Sequence, residues 1–235
     1  MEIKLYQSVD TPCNYLEGLQ SSSLIVDPDL PITQELTTAM SQMGYRRSGS
    51  MLYKPQCQNC NACLSSRIRI NDFKPSKSQK RIINKAKHLN FQVRECAFNE
   101  NDYLLYEKYI ELRHADGDMH PPDKAQYEGF LCKNFGFNYF LETQLDGKTI
   151  AICQFDSLQD GLSAVYTFFD PDFESLSLGV LSVLQLISLA KKVGYPYVYL
   201  GYYIQDCSKM NYKSKYQPLE IFSKGCWKQF SPERD

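Results

Sequence analysis

Residues 163–201 read SAVYTFFDPDFESLSLGVLSVLQLISLAKKVGYPYVYLG, and this stretch decides the fold. Ser163–Phe169 is rich in β-branched and aromatic residues and stops at an Asp-Pro dipeptide, which predicts a strand. Apolar residues then recur at helical spacing from Leu178, and Gly194 follows a pair of lysines as a stop signal, so a buried helix is expected. Tyr197–Leu200 is a second, short apolar strand. This order predicts two parallel strands with the helix packed on the sheet.

The start of the predicted helix is the part that suggests a binding site. Ser175, Ser177 and Gly179 place small residues around the first turn, where unpaired backbone N–H groups and the positive end of the helix dipole collect. A phosphate, carboxylate or ribose could approach the backbone there. The alternative is an ordinary serine-capped helix in an α/β core.

The rest of the chain predicts further strands and helices around this unit. Asn138–Leu145 and Lys148–Asp156 flank an Asp-Gly dipeptide, which is typical of a tight hairpin. The composition changes near Ala97, where acidic residues replace basic ones. We therefore expect a basic, cysteine-containing N-terminal domain over residues 1–96 and a second domain over residues 97–235.

Basic residues are concentrated in one part of a chain whose net charge is only −1. Between Tyr45 and Arg94 there are twelve Lys or Arg against a single acid, Asp72. Such a block suits the neutralisation of phosphates, so a nucleic acid partner is predicted, with RNA and DNA both open. The alternative is a solvated basic face balanced by acids elsewhere in the fold.

Composition narrows the class of protein further. The chain has 235 residues with 43% hydrophobic and 23% charged residues, which is ordinary for a globular protein. No apolar run reaches the length of a membrane span, and the N-terminus has no signal-peptide core. Nine cysteines without secretory features favour free thiols or a metal over disulfides. A cytoplasmic location and no membrane partner are expected.

Three cysteines form the most conspicuous spacing of possible metal ligands. Cys57, Cys60 and Cys63 follow C-x-x-C-x-x-C, and thiolates at this spacing can bind Zn²⁺ or an iron–sulfur cluster. A closed site needs a fourth ligand, for which Cys13 is the first candidate and Cys96 the second. The alternative is three free thiols in a tight loop.

Other motifs suggest anion binding, and none suggests covalent catalysis. Arg46 and Arg47 stand between glycines, and guanidinium groups suit phosphate or carboxylate. The segment from Cys207 to Glu220 interleaves lysine with tyrosine, which can contact phosphate, ribose and base. The sequence holds no phosphate-binding glycine loop, G-x-S-x-G or H-E-x-x-H motif. An enzyme built on this chain would work by positioning its substrates and moving protons.

Several segments, taken in order, resemble one family over the range from Cys13 to Trp227. They are GYRRSGSMLYKPQCQNCNAC, FKPSKSQKR, LRHADGDMHPP, GLSAVYTFFDPD, SLGVLSVLQLIS, YVYLGYYI and CSKMNYKSKYQPLE. These segments are similar to those of the bacterial aspartate/glutamate leucyltransferases, relatives of the eukaryotic arginyl-tRNA–protein transferases.

The resemblance implies a reaction, its partners and a fold. Leucine passes from leucyl-tRNA to the α-amino group of a protein that begins with Asp or Glu, and the new N-terminal leucine marks that protein for degradation. The chemistry requires no cofactor. The fold would be that of the acetyl-CoA-dependent (GNAT-like) acyltransferases, an α/β or α+β mixed sheet with a crossover helix, in which the basic N-terminal region could form a second such half. The iron–sulfur or metal site of eukaryotic relatives uses a different cysteine spacing.

The resemblance also suggests site residues. For catalysis these are a proton relay at Asp170, Tyr166 or Tyr202, and donors to the oxyanion near Leu178 and Gly179 or at Lys209. A cation for the acceptor carboxylate could come from Arg46, Arg47 or Arg113. The substrate-binding set is completed by Lys54, Phe168, Ser177, Asn211, Tyr212 and Lys213.

Three other functions remain open at this level. One is arginyl transfer by the same mechanism, and the second is acetyl transfer to a small molecule, which would not need the basic block. The third is a non-enzymatic RNA-binding protein, which would not need the helix start of the 163–201 stretch.

Overall fold

The computed structural model describes residues 3–231, and within them the chain is an α+β protein. Its strands, in chain order, are β1 (Leu5–Gln7), β2 (Thr11–Pro12), β3 (Gln20–Ser21), β4 (Ser23–Val26), β5 (Arg46–Ser48), β6 (Met51–Pro55), β7 (Leu64–Arg69), β8 (Asn90–Glu95), β9 (Asn138–Leu145), β10 (Lys148–Ser157), β11 (Gly161–Phe169), β12 (Tyr197–Tyr203), β13 (Leu219–Ser223) and β14 (Cys226–Gln229). Its α-helices are α1 (Gln34–Gln42), α2 (Lys77–Lys85), α3 (Glu100–Arg113), α4 (Lys124–Tyr127), α5 (Leu178–Val193) and α6 (Ser208–Asn211). Three further helical segments, which are not α-helical, are Glu128–Cys132, Pro171–Leu176 and Tyr212–Lys215.

The elements predicted for residues 163–201 are confirmed. The strand is β11, the helix is α5 and the second strand is β12. Helix α5 is buried along most of its length and ends at Gly194 in the left-handed conformation, as the apolar spacing and the glycine indicated. The parallel arrangement of the two strands stays a prediction.

The chain folds into two compact units that interleave along the sequence. The first unit comprises residues 1–73, 158–161 and 195–235, and the second comprises residues 74–157 and 162–194. The domain boundary expected at residue 96 lies inside the second unit and stays a proposal.

The first unit contains two groups of antiparallel strands. One is the four-stranded sheet β1-β4-β6-β5. Met40 of α1 packs in one core cluster with Val26, Tyr45 and Leu52. The other is the run β14-β13-β7-β12. The elements predicted from the sequence do not include the β13–β14 hairpin. The sequence signal for this hairpin is the Lys224-Gly225 dipeptide between two short strands, and both residues of the dipeptide have positive φ.

A stacked arginine supports this second group of strands. Arg67 on β7 is 7% exposed and its Nε donates to Glu220 Oε2 on β13 over 2.7 Å. Its guanidinium lies 3.6 Å from the ring centre of Tyr197 and 4.3 Å from that of Trp227. This arginine of the basic block therefore packs inside the unit.

The second unit contains the antiparallel run β11-β10-β9-β8 and helices α2, α3 and α5. The β9–β10 hairpin predicted from the Asp-Gly dipeptide is confirmed. One core cluster places Tyr106 of α3 against Phe140 and Phe168. A second cluster joins Ala86, just after α2, to Leu178 and Leu181 of α5. The strand end and the helix start that carry the predicted site residues are thus fixed by buried apolar contacts.

Candidate functional site

Candidate site residues form two groups, one in each unit, and we describe each group by itself. The first group, which we call the arginine–lysine cluster, consists of Arg46, Gly201, Tyr202 and Lys213. The second, which we call the helix-start group, consists of Tyr166, Asp170, Ser177, Leu178 and Gly179.

The arginine–lysine cluster begins with the alternation of side chains along β5. Arg47 is 2% exposed and its Nη1 donates to the Gly49 carbonyl over 2.7 Å, so this arginine belongs to the fold. Arg46 faces the other way and is half-buried. Its guanidinium lies over Gly201, since a Cβ built on that glycine would come within 2.7 Å of Arg46 Cζ. Only a residue without a side chain permits this approach.

The backbone at Gly201 is unusual in a second way. Its φ is +76°, and the pairing of β12 with β7 shifts register between Tyr199 and Gly201. A bulge of this kind re-aims the following side chains. Tyr202 is directed so that its Oη donates to the Tyr53 carbonyl over 2.9 Å. Burial raises the pKa of the Tyr202 phenol, so the hydroxyl stays protonated.

Lys213 is the buried member of the cluster. It is 3% exposed, and its Nζ donates to the Tyr202 carbonyl over 2.6 Å and lies 3.3 Å from Met210 Sδ. Burial, with a contribution from the Arg46 guanidinium, lowers the pKa of Lys213 to about 7. At neutral pH Lys213 is therefore only about half protonated, whereas Arg46 carries a full positive charge.

A cavity of about 160 Å³ opens beside the cluster, with Tyr15, Tyr53 and Tyr202 in its wall. The four predicted metal ligands, Cys13, Cys57, Cys60 and Cys63, also line this cavity. Burial and the neighbouring thiols raise the pKa of Cys63 to about 12.

The cysteine geometry does not fit a metal. Within residues 3–231, no three His, Cys, Asp or Glu side chains are grouped so that they could hold a metal ion. The second candidate for the fourth ligand, Cys96, is 2% exposed in the aromatic core of the other unit. Cys13 and the three other cysteines line the same cavity, but their arrangement does not support the predicted metal site.

The helix-start group is built where β11 ends. The Asp170 carboxylate is 2% exposed and accepts from Lys108 Nζ over 2.6 Å, from Lys148 Nζ over 3.2 Å and from the Asp172 N–H over 3.1 Å. Burial alone would raise the pKa of Asp170, but these hydrogen bonds outweigh it and hold that pKa below its ordinary value. Asp170 is therefore a persistent carboxylate and a weak base.

Helix α5 begins directly after this turn. Ser177 is its N-cap with φ +53°, and its side chain makes no capping hydrogen bond. The first backbone N–H groups of a 16-residue helix are thus left for another acceptor. A Cβ on Gly179 would meet Phe169 Cε1 at 3.7 Å, an ordinary contact. Tyr166 is half-buried, and burial raises the pKa of its phenol.

The other predicted site residues have more varied positions. Phe168 is 0% exposed and lies within the core cluster. Lys54 Nζ donates to the Met43 carbonyl over 3.3 Å and lies over the Phe222 ring. Arg113 is exposed and pairs with Glu174 over 2.7 Å. Of the predicted site residues in the Lys/Tyr segment, Lys209, Asn211 and Tyr212 are exposed and Lys213 is buried.

Sequence reasoning missed the partners that define both groups. Lys108 and Lys148 hold Asp170 from distant positions in the chain, and no local pattern marks them. The sequence also does not indicate that Lys213 is buried, because the segment around it contains several lysines. A glycine inside the aromatic run of β12 is the one signal that could have indicated the Gly201 bulge.

Comparison with known proteins now places the chain in a class. The sequence model described as arginine-tRNA-protein transferase, N terminus, matches residues 11–81, and that described as the C terminus matches residues 101–223. The chain is therefore a transferase. It belongs to the family of arginine-tRNA–protein transferases.

Individual relatives give the same result. An aspartate/glutamate leucyltransferase of Pseudomonas aeruginosa (strain LESB58) is 44% identical over 225 residues, 96% of each chain. An aspartate/glutamate leucyltransferase of Alcanivorax borkumensis is 42% identical over 99% of this chain and 96% of its own length. Among solved structures, a C-terminal DUF2156 domain from Agrobacterium fabrum aligns with 72% of this chain and 51% of its own, at a TM-score of 0.43 and 14% identity.

Proposed function

We propose that this protein transfers leucine from leucyl-tRNA to the α-amino group of proteins that begin with Asp or Glu. The observation that carries the proposal is the 44% identity, over 96% of both chains, with a relative named aspartate/glutamate leucyltransferase. The new N-terminal leucine would serve as a degradation signal. No helix in the described range is long and apolar enough to cross a membrane. A cytoplasmic location stays a prediction from the cysteine usage.

Arginyl transfer is the second candidate, because the matching family models are described by arginine-tRNA. The two donors are separated by supplying the enzyme with leucyl-tRNA and arginyl-tRNA in equal amounts and following label on a peptide that begins with Asp. Label from leucine supports the proposal. Label from arginine alone would replace leucine as the donor, and label from neither would contradict the enzymatic reading.

We further propose a GNAT-like use of the helix-start group. The unoccupied N–H groups at Leu178 and Gly179 would hold the carbonyl oxygen of the aminoacyl ester as negative charge develops on it. Ser177 and Tyr166 would bound the same position, and the buried Phe168 would support them from within. Asp170 would fix the turn through Lys108 and Lys148, because a carboxylate with a lowered pKa is a poor proton acceptor.

The arginine–lysine cluster suits recognition of one carboxylate. Of the three arginines considered for this role, Arg47 is 2% exposed and so inaccessible, and Arg113 is exposed, where water screens an ion pair. Arg46 is half-buried beside a cavity wall, where a hydrogen-bonded ion pair is less screened than at the surface. Because Arg46 carries a full charge and Lys213 only a partial one, a single acceptor carboxylate would pair with Arg46 and neutralise most of the charge of the cluster.

The remaining steps of the chemistry are proton transfers. The acceptor α-ammonium must lose a proton before its nitrogen attacks the ester carbonyl, and the ribose oxygen must gain one when the ester bond breaks. The balance is one amide, one free ribose hydroxyl and one proton released to water. Burial raises the pKa values of Tyr166 and Tyr202 and keeps both phenols protonated, so they would donate hydrogen bonds rather than act as bases. Lys209, Asn211 and Tyr212 would contact the tRNA through their exposed side chains.

A further inference from the structure

The basic block between Tyr45 and Arg94 serves two different purposes in the folded chain. Four of its arginines have partners within the chain, and these are Arg47 at the Gly49 carbonyl, Arg67 at Glu220, Arg69 at Asp72 and Arg94 at Asp102 and Glu142. They are unavailable as a group to a phosphate. The charge that remains on the surface is concentrated in and around α2.

Helix α2 divides sharply into a buried side and a basic side. Gln79 is 4% exposed, and Ile82 packs against the core cluster that includes Leu181 of α5. With about 100° of rotation per residue, Lys77, Lys80 and Arg81 fall within an arc of about 100° on the opposite side. All three are exposed. We call this surface the α2 basic face.

Nothing in the described chain neutralises the α2 basic face. The sequence holds no Asp or Glu between Asp72 and Glu95. Over residues 3–231, Lys77, Lys80 and Arg81 form no ion pair, whereas Lys108, Arg113 and Lys124 in the same unit each have a carboxylate partner. The exposed Lys74 and Lys87 extend the same charge at the two ends of the helix. A face that is uniformly positive and unpaired favours a polyanion.

We infer that the α2 basic face binds the sugar–phosphate backbone of the tRNA, without reading its bases. This inference rests on the proposed function for the identity of the polyanion. Lysine side chains contact phosphate as point charges and give register and affinity rather than base recognition. From Lys77 to Arg81 the face spans about 6 Å along the helix axis, and its three cationic side chains suffice for two or three phosphate contacts.

An anionic membrane is the other polyanion with this chemistry, and the helix is poorly suited to it. A helix that lies in a membrane surface inserts its apolar side between the lipids. In α2 that side, with Gln79 and Ile82, already packs on the core of the second unit. The helix therefore presents charge without an apolar face to insert.

The test compares two double variants of the full chain. Lys77→Gln/Lys80→Gln removes two charges from the α2 basic face, and Lys191→Gln/Lys192→Gln removes two exposed lysines from the last turn of α5 as the matched control. Binding of uncharged tRNA is measured over a series of salt concentrations. We expect the α2 variant to bind about tenfold more weakly, and the slope of log Kd against log salt to fall by about one to two. The control should change neither value.

Steady-state kinetics add a readout that a loss of folding would not give. The α2 variant should show a raised KM for leucyl-tRNA, with kcat and the KM for the acceptor peptide unchanged. Unchanged tRNA affinity and salt slope, or an equal loss in the Lys191/Lys192 control, would overturn the inference. So would binding to phosphatidylglycerol vesicles that the α2 variant loses while it retains tRNA. If the wild type binds tRNA through this face but transfers no leucine, the proposed function fails and this inference stands.

Discussion

At the scale of single residues, Lys213 is the least expected feature of the molecule. Its amine lies in a buried position, held by the Tyr202 carbonyl and without a carboxylate partner among the described contacts. Folding therefore lowers the pKa of Lys213 to about 7, whereas in the unfolded chain its pKa would keep the ordinary lysine value of about 10.4. Protonation of Lys213 thus opposes folding.

This difference sets a pH dependence of stability. Below about pH 7 Lys213 is protonated in both the folded and the unfolded state, so burial of its charge lowers the free energy of unfolding by the full amount. Between about pH 7 and 10 only the unfolded state binds the proton, so the protein becomes more stable as the pH rises. The free energy of unfolding of the wild type, minus that of Lys213→Met, should be flat below neutrality and rise by up to about 1.4 kcal/mol per pH unit above it. Urea unfolding from pH 6 to 9 measures it. The exposed Lys228→Met should give a flat difference, and a flat difference for Lys213→Met would refute the burial argument.

Arg46 carries the second residue-scale prediction. Arg46→Lys keeps the charge but loses the planar pair of donors, so we expect kcat/KM for an Asp-initiated peptide to fall by about 10- to 100-fold. The loss should lie in the KM for the peptide, with the KM for leucyl-tRNA unchanged. Arg113→Lys is the comparison, since Arg113 is exposed and paired with Glu174. A larger effect on the peptide from Arg113→Lys than from Arg46→Lys would move acceptor recognition to the other arginine.

At the scale of elements, the bulge in β12 depends on Gly201. Gly201 and Gly225 have nearly equal φ values, +76° and +79°, but only Gly201 has a neighbour where its Cβ would be. Gly225→Ala should cost about 1 kcal/mol of unfolding free energy, from backbone strain alone. Gly201→Ala should cost clearly more, because Arg46 must also move.

Thermal and urea unfolding of the two alanine variants make this comparison. Activity assays extend the comparison. Displacement of Arg46 should weaken binding of the acceptor peptide in Gly201→Ala, whereas Gly225→Ala should bind the peptide normally. Equal losses of stability in the two variants would mean that the Arg46 side chain yields without cost.

The turn that precedes α5 depends on Asp170 in a similar way. Asp170→Asn leaves Lys108 and Lys148 without their shared charge, and we expect a loss of about 2 kcal/mol at pH 7, less than for a fully buried pair because both lysines are partly exposed. Since the pKa of Asp170 is lowered on folding, this stabilisation is present above the ordinary carboxyl pKa of about 3.9 and is lost as the pH falls below it.

Asp172 provides the control for this prediction, because it accepts from the same Lys108 but is exposed. Asp172→Asn should change the free energy of unfolding by less than about 0.5 kcal/mol. Denaturant unfolding at pH 7 and pH 3 distinguishes the two carboxylates. If the two variants behaved alike, the buried position of Asp170 would contribute nothing.

At the scale of the whole molecule, local patterns predicted the elements and long-range contacts determined the rest. Strand β11, helix α5 and the β9–β10 hairpin follow from apolar spacing, a glycine stop and an Asp-Gly turn, which are signals within one stretch of chain. The interleaving of the two units has no local signal. The basic block was recognised as a whole, but only the folded chain separates the buried Arg67 from the exposed α2.

The candidate site divides along the same line. The sequence identified Arg46, Tyr202 and Lys213 as separate candidates, and the fold brings these three together around Gly201. Spacing suggested a metal at Cys57, Cys60 and Cys63, but spacing along a chain does not fix the direction of the thiols. Their protonation and the grouping of donors are properties of the folded cavity.

The proposed reaction is best tested by leucine transfer from leucyl-tRNA to two peptides, one beginning with Asp and the other with Asn, in which an amide NH2 replaces one carboxylate oxygen. The account requires the carboxylate of the acceptor, so the Asp peptide should be leucylated and the Asn peptide should lose at least about 100-fold in kcat/KM. Equal transfer to both peptides would contradict carboxylate recognition, and no transfer to either, with tRNA still bound, would contradict the proposed reaction.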